Sequence, residues 1–155
     1  MASWGKVDFK QLKALQQRLE KLQKAELEQF CKAVSKELAA RLLAKVIKRT
    51  PVGQYPKGSG KTGGTLRRGW TGEKNQAGSA YADSLKVNHF GDTYVIEIVN
   101  PIEYASYVEY GHRTRSHSGW VEGKFMLTIS AEEVQRDAPR VLQNKLKKKL
   151  GECFK

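Results

Sequence analysis

Cysteine is nearly missing: the 155 residues hold two, Cys31 and Cys153. Neither sits in a Cys-x-x-Cys or Cys/His spacing, so a zinc site has no ligand set to start from. Reduced thiols in a cytosolic setting are the expectation. Long apolar runs are missing too. Nothing approaches the ~20 apolar residues of a membrane span. The polar N-terminus holds no apolar run of signal-peptide length. The sequence therefore predicts a chain made in the cytoplasm, with no membrane contact and no cofactor.

Apolar residues are also sparse, at 39% against 28% charged, a little thin for a globular chain. The length fits one domain. A domain of that size buries roughly 68–70% of the surface its unfolded chain exposes, so it needs neither metal nor disulfide to fold. A thin apolar fraction suits a core that another subunit completes.

What the chain has in excess is positive charge, +12 in total. The excess is uneven: +7 over residues 1–50, +4 over 51–70, −3 over 71–123 and +4 over 124–155. Basic ends and a basic first loop thus flank a mildly acidic middle. Such surfaces attract nucleic acid through counterion release, and they meet acidic protein surfaces equally well.

Periodicity predicts a helical region over 1–49. Leu12, Leu15, Leu19 and Leu22, then Leu27, Cys31, Val34, Leu38, Leu42 and Val46, form a stripe on a 3.6-residue period. Asp8 can cap its start, and a phase shift near Ala25 marks an expected break. Thr50-Pro51 ends it, because proline disfavours helix in the residue before it. Residues 51–64, "PVGQYPKGSGKTGG", read as a flexible basic loop, longer than most and so functional or disordered. In 65–123 the reading is a hairpin, a short helix and a second loop. Thr65 can cap a helical turn in "TLRRGW". Leu85 and Val87 alternate on one strand; Tyr94, Ile96 and Ile98 share a face of the next, with "NHFGD" between. Pro101 opens a short helix that Gly111 stops. Residues 112–123 read as loop. Residues 124–155 read as a C-terminal helix and basic tail. It starts near Lys124 or at a Ser130/Glu133 capping box, is interrupted or kinked at Pro139, and frays at its basic end.

Three stretches invite a chemical reading. His112 and His117 are five apart beside arginines, but no carboxylate pair or thiol is near in sequence. The i, i+4 geometry of an HExxH site is also missing. The plainer reading is solvated or interface histidines. "GSGKTGGT" lacks the first glycine of a phosphate-binding loop and follows a helix, not a strand; flexibility explains its glycines. Trp70 and Trp120 flank basic loops. Each either anchors an interface, stacks on bases or plugs the end of a small core. The tyrosines at 104, 107 and 110 read mostly as helix-face packing.

The order of these pieces carries a resemblance. A helix ends in "TPV", a glycine-rich stretch leads to "TGGTLRRGW", and a hairpin ends in "VNPIEYASYVEYGHRT". A loop then leads to "GWVEGKFML" and a closing helix. This resembles the tail-component family of tailed bacteriophages and prophages over roughly residues 35–145. Pro51, Thr62, Gly63, Leu66 and Arg67 match its first motif. Asn100, Tyr104, Ala105, Tyr107, Val108, Glu109 and Gly111 match its second, and Phe125 matches the start of its last helix. The family runs almost directly from "PV", through an acidic residue, into "TG"; here the nine residues from Gly53 to Lys61 intervene, none acidic. The loop after Gly111 is also elaborate.

The resemblance implies an α+β fold, ring assembly and no catalytic residues. The expected fold is a single domain over 1–155, with a long N-terminal and a C-terminal helix packed on a small antiparallel β-sheet beside two long flexible loops. The expected function is non-enzymatic: a virion assembly protein at the head–tail connection or tail end, in neck or tail completion. Its partners would be other copies of itself in a ring, sixfold by family analogy, and tail-tube, tail-terminator or head-connector proteins, with DNA at most a passing contact. Loops 51–64 and 111–123 would order as the ring closes. Arg67, Arg68, Trp70, Arg113, Arg115 and Trp120 are the candidate interface residues. The alternative is a nucleic-acid-binding accessory protein that uses the basic loop and tail.

Overall fold

The computed structural model describes residues 9–72, 74 and 76–153. The first apolar stripe becomes a single 41-residue helix, α1 (Phe9–Arg49), about 61 Å long at 1.5 Å per residue. The break expected near Ala25 does not occur. Residues 24–28 are good helix formers, and Lys24 to Leu27 are exposed, so no contact forces the helix to follow the stripe's shift. The Asp8 cap lies outside the described residues. Thr50 closes α1: its N–H and its hydroxyl both donate to the Val46 carbonyl, at 2.9 and 2.6 Å.

Residues 51–64 carry no helix or strand. α2 (Thr65–Gly69) follows. Thr65 is its first residue, not its cap; Gly64 holds that place at φ 92° without a side-chain bond. α3 (Gly78–Ser84) has no signal in the sequence, because Gly78-Ser79-Ala80 gives no apolar period. It forms through packing on α1. A Cβ added at Gly78 would stand 3.0 Å from the Leu43 Cβ, so the glycine permits the close approach.

The hairpin is shorter than predicted. β1 (Asn88–Phe90) pairs antiparallel with β2 (Thr93–Val95), in register Asn88↔Val95. Gly91 at φ 58° supplies the first position of a two-residue turn, as a II′ turn requires. Leu85, Val87, Ile96 and Ile98 therefore lie outside the ladder, although Ile96 and Ile98 still pack on the core. α4 (Ala105–Tyr110) ends at Gly111, whose φ of 87° suits the stop. A second sheet then appears where loop was expected: β3 (Gly111–Arg113) pairs antiparallel with β4 (Trp120–Glu122). α5 (Met126–Cys153) completes the chain. It takes the earlier of the two predicted starts. Ser130 is not a cap; its hydroxyl donates back to the Met126 carbonyl at 2.6 Å. Helix continues through Pro139 and along the basic end. Pro139 and Gln135 are both partly or fully open to solvent, so the Gln135 carbonyl that loses its helical donor can turn to water.

α1 and α5 run antiparallel. Lys45 meets Glu133 at 2.7 Å, Arg49 meets Glu133 and Ser130, and Lys145 meets Glu37 at 2.5 Å. Lys45 and then Arg49 hold the Glu133 carboxyl down to about 2. The core sits where α1, α2, α3 and α5 converge, around Leu43, Val46, Leu66, Trp70, Ala82 and Met126. The architecture is α+β, with long first and last helices and two small antiparallel sheets.

Candidate interaction surface

Both sequence motifs turn out to hold the frame. Thr50 is fully buried, and two side chains converge on it with three hydrogen bonds. The Trp70 indole N–H donates to its hydroxyl at 2.8 Å, and the Arg67 guanidinium donates twice to its carbonyl, at 3.2 and 2.8 Å. The first motif thereby closes the C-terminal end of α1. The second motif grips the first. Asn100 Nδ2 donates to the Leu66 carbonyl at 2.9 Å, and its Oδ1 accepts from the Ile102 N–H at 3.1 Å. Gly69 makes room for this: a Cβ there would fall 2.2 Å from Asn100 Oδ1. Gly63 has a like role, since its Cβ would fall 2.1 Å from the Gly53 carbonyl oxygen. The two ends of the inserted loop touch there. Pro51, Gly63 and Leu66 line a cleft of about 240 Å³ with Tyr104 and Val108 opposite.

Of the predicted interface residues, Trp70 is internal and Arg67 is half-buried with its guanidinium turned to Thr50. Trp70 is 3% exposed and belongs to the core. Arg67 spends its guanidinium on Thr50, because a helix end buried without a donor would leave a carbonyl unpaired. Arg68 is exposed and donates to the Gly63 carbonyl and the Thr65 hydroxyl, at 3.3 Å each. Arg113, Arg115 and Trp120 are exposed, on and beside the β3–β4 hairpin.

Sequence reasoning missed how that hairpin is anchored. Glu109, 5% exposed, points from α4 to the start of α5. Its carboxylate accepts from the Leu127 N–H at 2.8 Å, the Thr128 N–H at 2.9 Å and the Thr128 hydroxyl at 2.7 Å. It caps a helix that starts 17 residues later in the chain. The favourable meeting of a carboxylate with a helix N-terminus explains the choice of side chain. Below it the backbone interlocks: the Lys124 N–H donates to Val108 and the Phe125 N–H to Glu109, at 2.7 and 3.0 Å. A Cβ at Gly123 would lie 2.2 Å from the Glu109 carbonyl oxygen. Phe125 is left at φ 46°, so the interlock holds a bulky residue in an unfavourable backbone region. The tip of the hairpin is bonded within itself: Thr114 N–H to the Gly119 carbonyl at 3.0 Å, and His117 N–H to the Thr114 carbonyl at 2.9 Å.

On this frame α4 turns Ala105, Val108 and Glu109 inward and its tyrosines outward. Tyr104, Tyr107 and Tyr110 are 45%, 57% and 63% exposed, which overturns the expectation that they pack. A helix of six residues meets the core along one face only. Trp120, Val121 and Phe125 extend the exposed apolar surface onto the hairpin and the start of α5. His112 stands edge-on to Tyr107, with ring centres 5.8 Å apart. Among the described residues no group of three or more His, Cys, Asp or Glu is placed to hold a metal ion, and no helix is long and apolar enough to cross a membrane.

A family model described as "Bacteriophage HK97-gp10, putative tail-component" matches residues 13–111. The match takes in both motifs and ends at Gly111, before Phe125 and α5. No curated protein and no solved structure matches the chain.

Proposed function

Because the chain belongs to the HK97-gp10-like family of bacteriophage tail components, we propose that it is a non-enzymatic assembly protein of the virion. It acts at the head–tail connection or the tail end, in neck or tail completion, as a ring of copies. The observation that carries this reading is the aromatic face. Tyr107, Tyr110, Trp120 and Phe125 stand exposed on a short helix and hairpin that Glu109 bolts to α5. Rigid aromatic side chains beside arginines are what anchor protein interfaces. Arg113 and Arg115 supply the positive charge that steers an acidic neighbour into register. Trp120, Arg113, Arg115 and Arg68 therefore remain interface residues, and Tyr107, Tyr110 and Phe125 join them. The loop 51–64, exposed from Pro51 to Thr62, orders further when a neighbouring copy or a tail-tube, tail-terminator or connector protein closes on it.

The test is electron microscopy of particles carrying a specific label on this chain. Label at the neck or tail end supports the reading; label at neither place removes it. A second arm measures oligomeric state against concentration, with and without the tail-tube protein. Trp120→Ala is expected to weaken assembly while the free chain stays folded.

A further inference from the structure

The groove between α1 and the second half of α5 has a composition opposite to that of the aromatic face. It is an open groove of about 360 Å³, lined by Arg41 from α1 and by Arg140, Asn144, Lys145 and Lys148 from α5, over Glu37. Val141 is the one apolar residue of its lining, and no aromatic residue belongs to it. Glu37 accepts from Arg41 at 2.9 Å and from Lys145 at 2.5 Å, so the acid holds two of the cations in place. Arg140, 3.9 Å from Asp137, the neutral Asn144 and Lys148 follow at four-residue steps, about 6 Å each along the helix, and so form a polar row. From Ala138 to Gly151 there is no acidic residue, while Arg140, Lys145, Lys147, Lys148 and Lys149 are basic.

Lysine is depleted in protein–protein interfaces, which favour an aromatic or apolar centre. A lining of four cations, Arg41, Arg140, Lys145 and Lys148, without such a centre suits a chain of phosphates, whose bound counterions the cations release. We propose that the α1–α5 groove binds the phosphodiester backbone of double-stranded DNA, without reading its sequence. Lys145 lies 19 residues along α5 from Met126, about 28 Å at the helical rise. DNA in the groove therefore leaves the aromatic face free.

The experiment uses the full free chain, so the tail-docking reading does not enter it. Binding to a labelled random-sequence duplex is followed by fluorescence anisotropy over a range of salt. The expected result is a steep loss of affinity with salt. The double variant R140Q/K148Q should weaken binding about tenfold or more and lower the salt slope by roughly 1.8, near 0.9 for each phosphate left without its cation. The charge-keeping variant R140K/K148R should retain the wild-type slope, and K57Q/K61Q, in the first loop, should change little. The proposal is overturned if the wild-type chain fails to bind at low salt, or if R140Q/K148Q keeps the full slope. It is also overturned if K57Q/K61Q weakens binding as much, or if polyglutamate competes as well as unlabelled duplex does.

Discussion

Glu109 and Thr128 are joined twice: one carboxylate oxygen of Glu109 accepts from both the backbone N–H and the hydroxyl of Thr128, at 2.9 and 2.7 Å. The pair fastens α4 to the first turn of α5, beside the backbone bonds of Lys124 and Phe125 to Val108 and Glu109. Glu109→Ala leaves α5 with unpaired N–H groups beside a small cavity. The expected cost is about 2–4 kcal/mol, as for buried bonds to a charged acceptor. Glu109→Gln keeps an acceptor and should lose less. Urea denaturation checks this, and an unchanged midpoint for Glu109→Ala would contradict it.

Trp70 and Trp120 should part company. Trp70→Ala empties a core site and removes the partner of the Thr50 hydroxyl, so a loss of about 3–5 kcal/mol is expected. Trp120, 59% exposed, should cost under about 0.5 kcal/mol on replacement by alanine. Thermal melts of the two variants decide the point. Equal destabilisation would mean that the assignment of one tryptophan to the core and the other to an interface is wrong.

Gly69 and Asn100 should be coupled. Gly69→Ala drives a Cβ against Asn100 Oδ1, and Asn100→Ala removes the bonds to Leu66 and Ile102. In the double variant the contact with Asn100 is gone and the one with Ile102 Cγ1, at 2.7 Å, remains. The combined loss should fall short of the sum of the single losses by about 0.5 kcal/mol or more. Additive losses in denaturant titrations would show that the motifs do not meet at this point.

Acid should loosen the α1–α5 pair. Lys45 and Arg49 hold Glu133 down to about 2, and Lys145 and then Arg41 lower Glu37. A carboxyl with a lowered folded pKa contributes stability that is present above its unfolded value of about 4.5. That contribution is lost as pH falls from there toward 2. Stability measured by urea titration should therefore decline across this window. In Glu133→Gln the decline should be shallower, and a curve parallel to the wild type would refute the assignment.

Much of the helical frame is legible in the residues alone. The leucine stripe predicts α1, Thr50-Pro51 its end, and Gly111 the end of α4, because periodicity, proline and glycine act over a few residues. The resemblance to a tail-component family likewise rests on two short motifs and their order. α3 and the β3–β4 hairpin escape such a reading. Gly78-Ser79-Ala80 becomes helical by lying against Leu43, and Gly111 and Gly123 make room for the strands to cross the end of α4.

The direction in which each polar or aromatic side chain points was decided by the tertiary structure. Arg67 and Arg68 are adjacent and alike, yet one is spent on Thr50 and the other is exposed. Trp70 is buried and Trp120 is bare; Glu109 is a cap and its three neighbouring tyrosines are surface. The sequence by itself determined the helical periods, the turns and the surplus of positive charge, since these follow from local backbone preference and composition. Which residues face inward depended on partners tens of residues away, and burial is a property of the packed pair rather than of either residue.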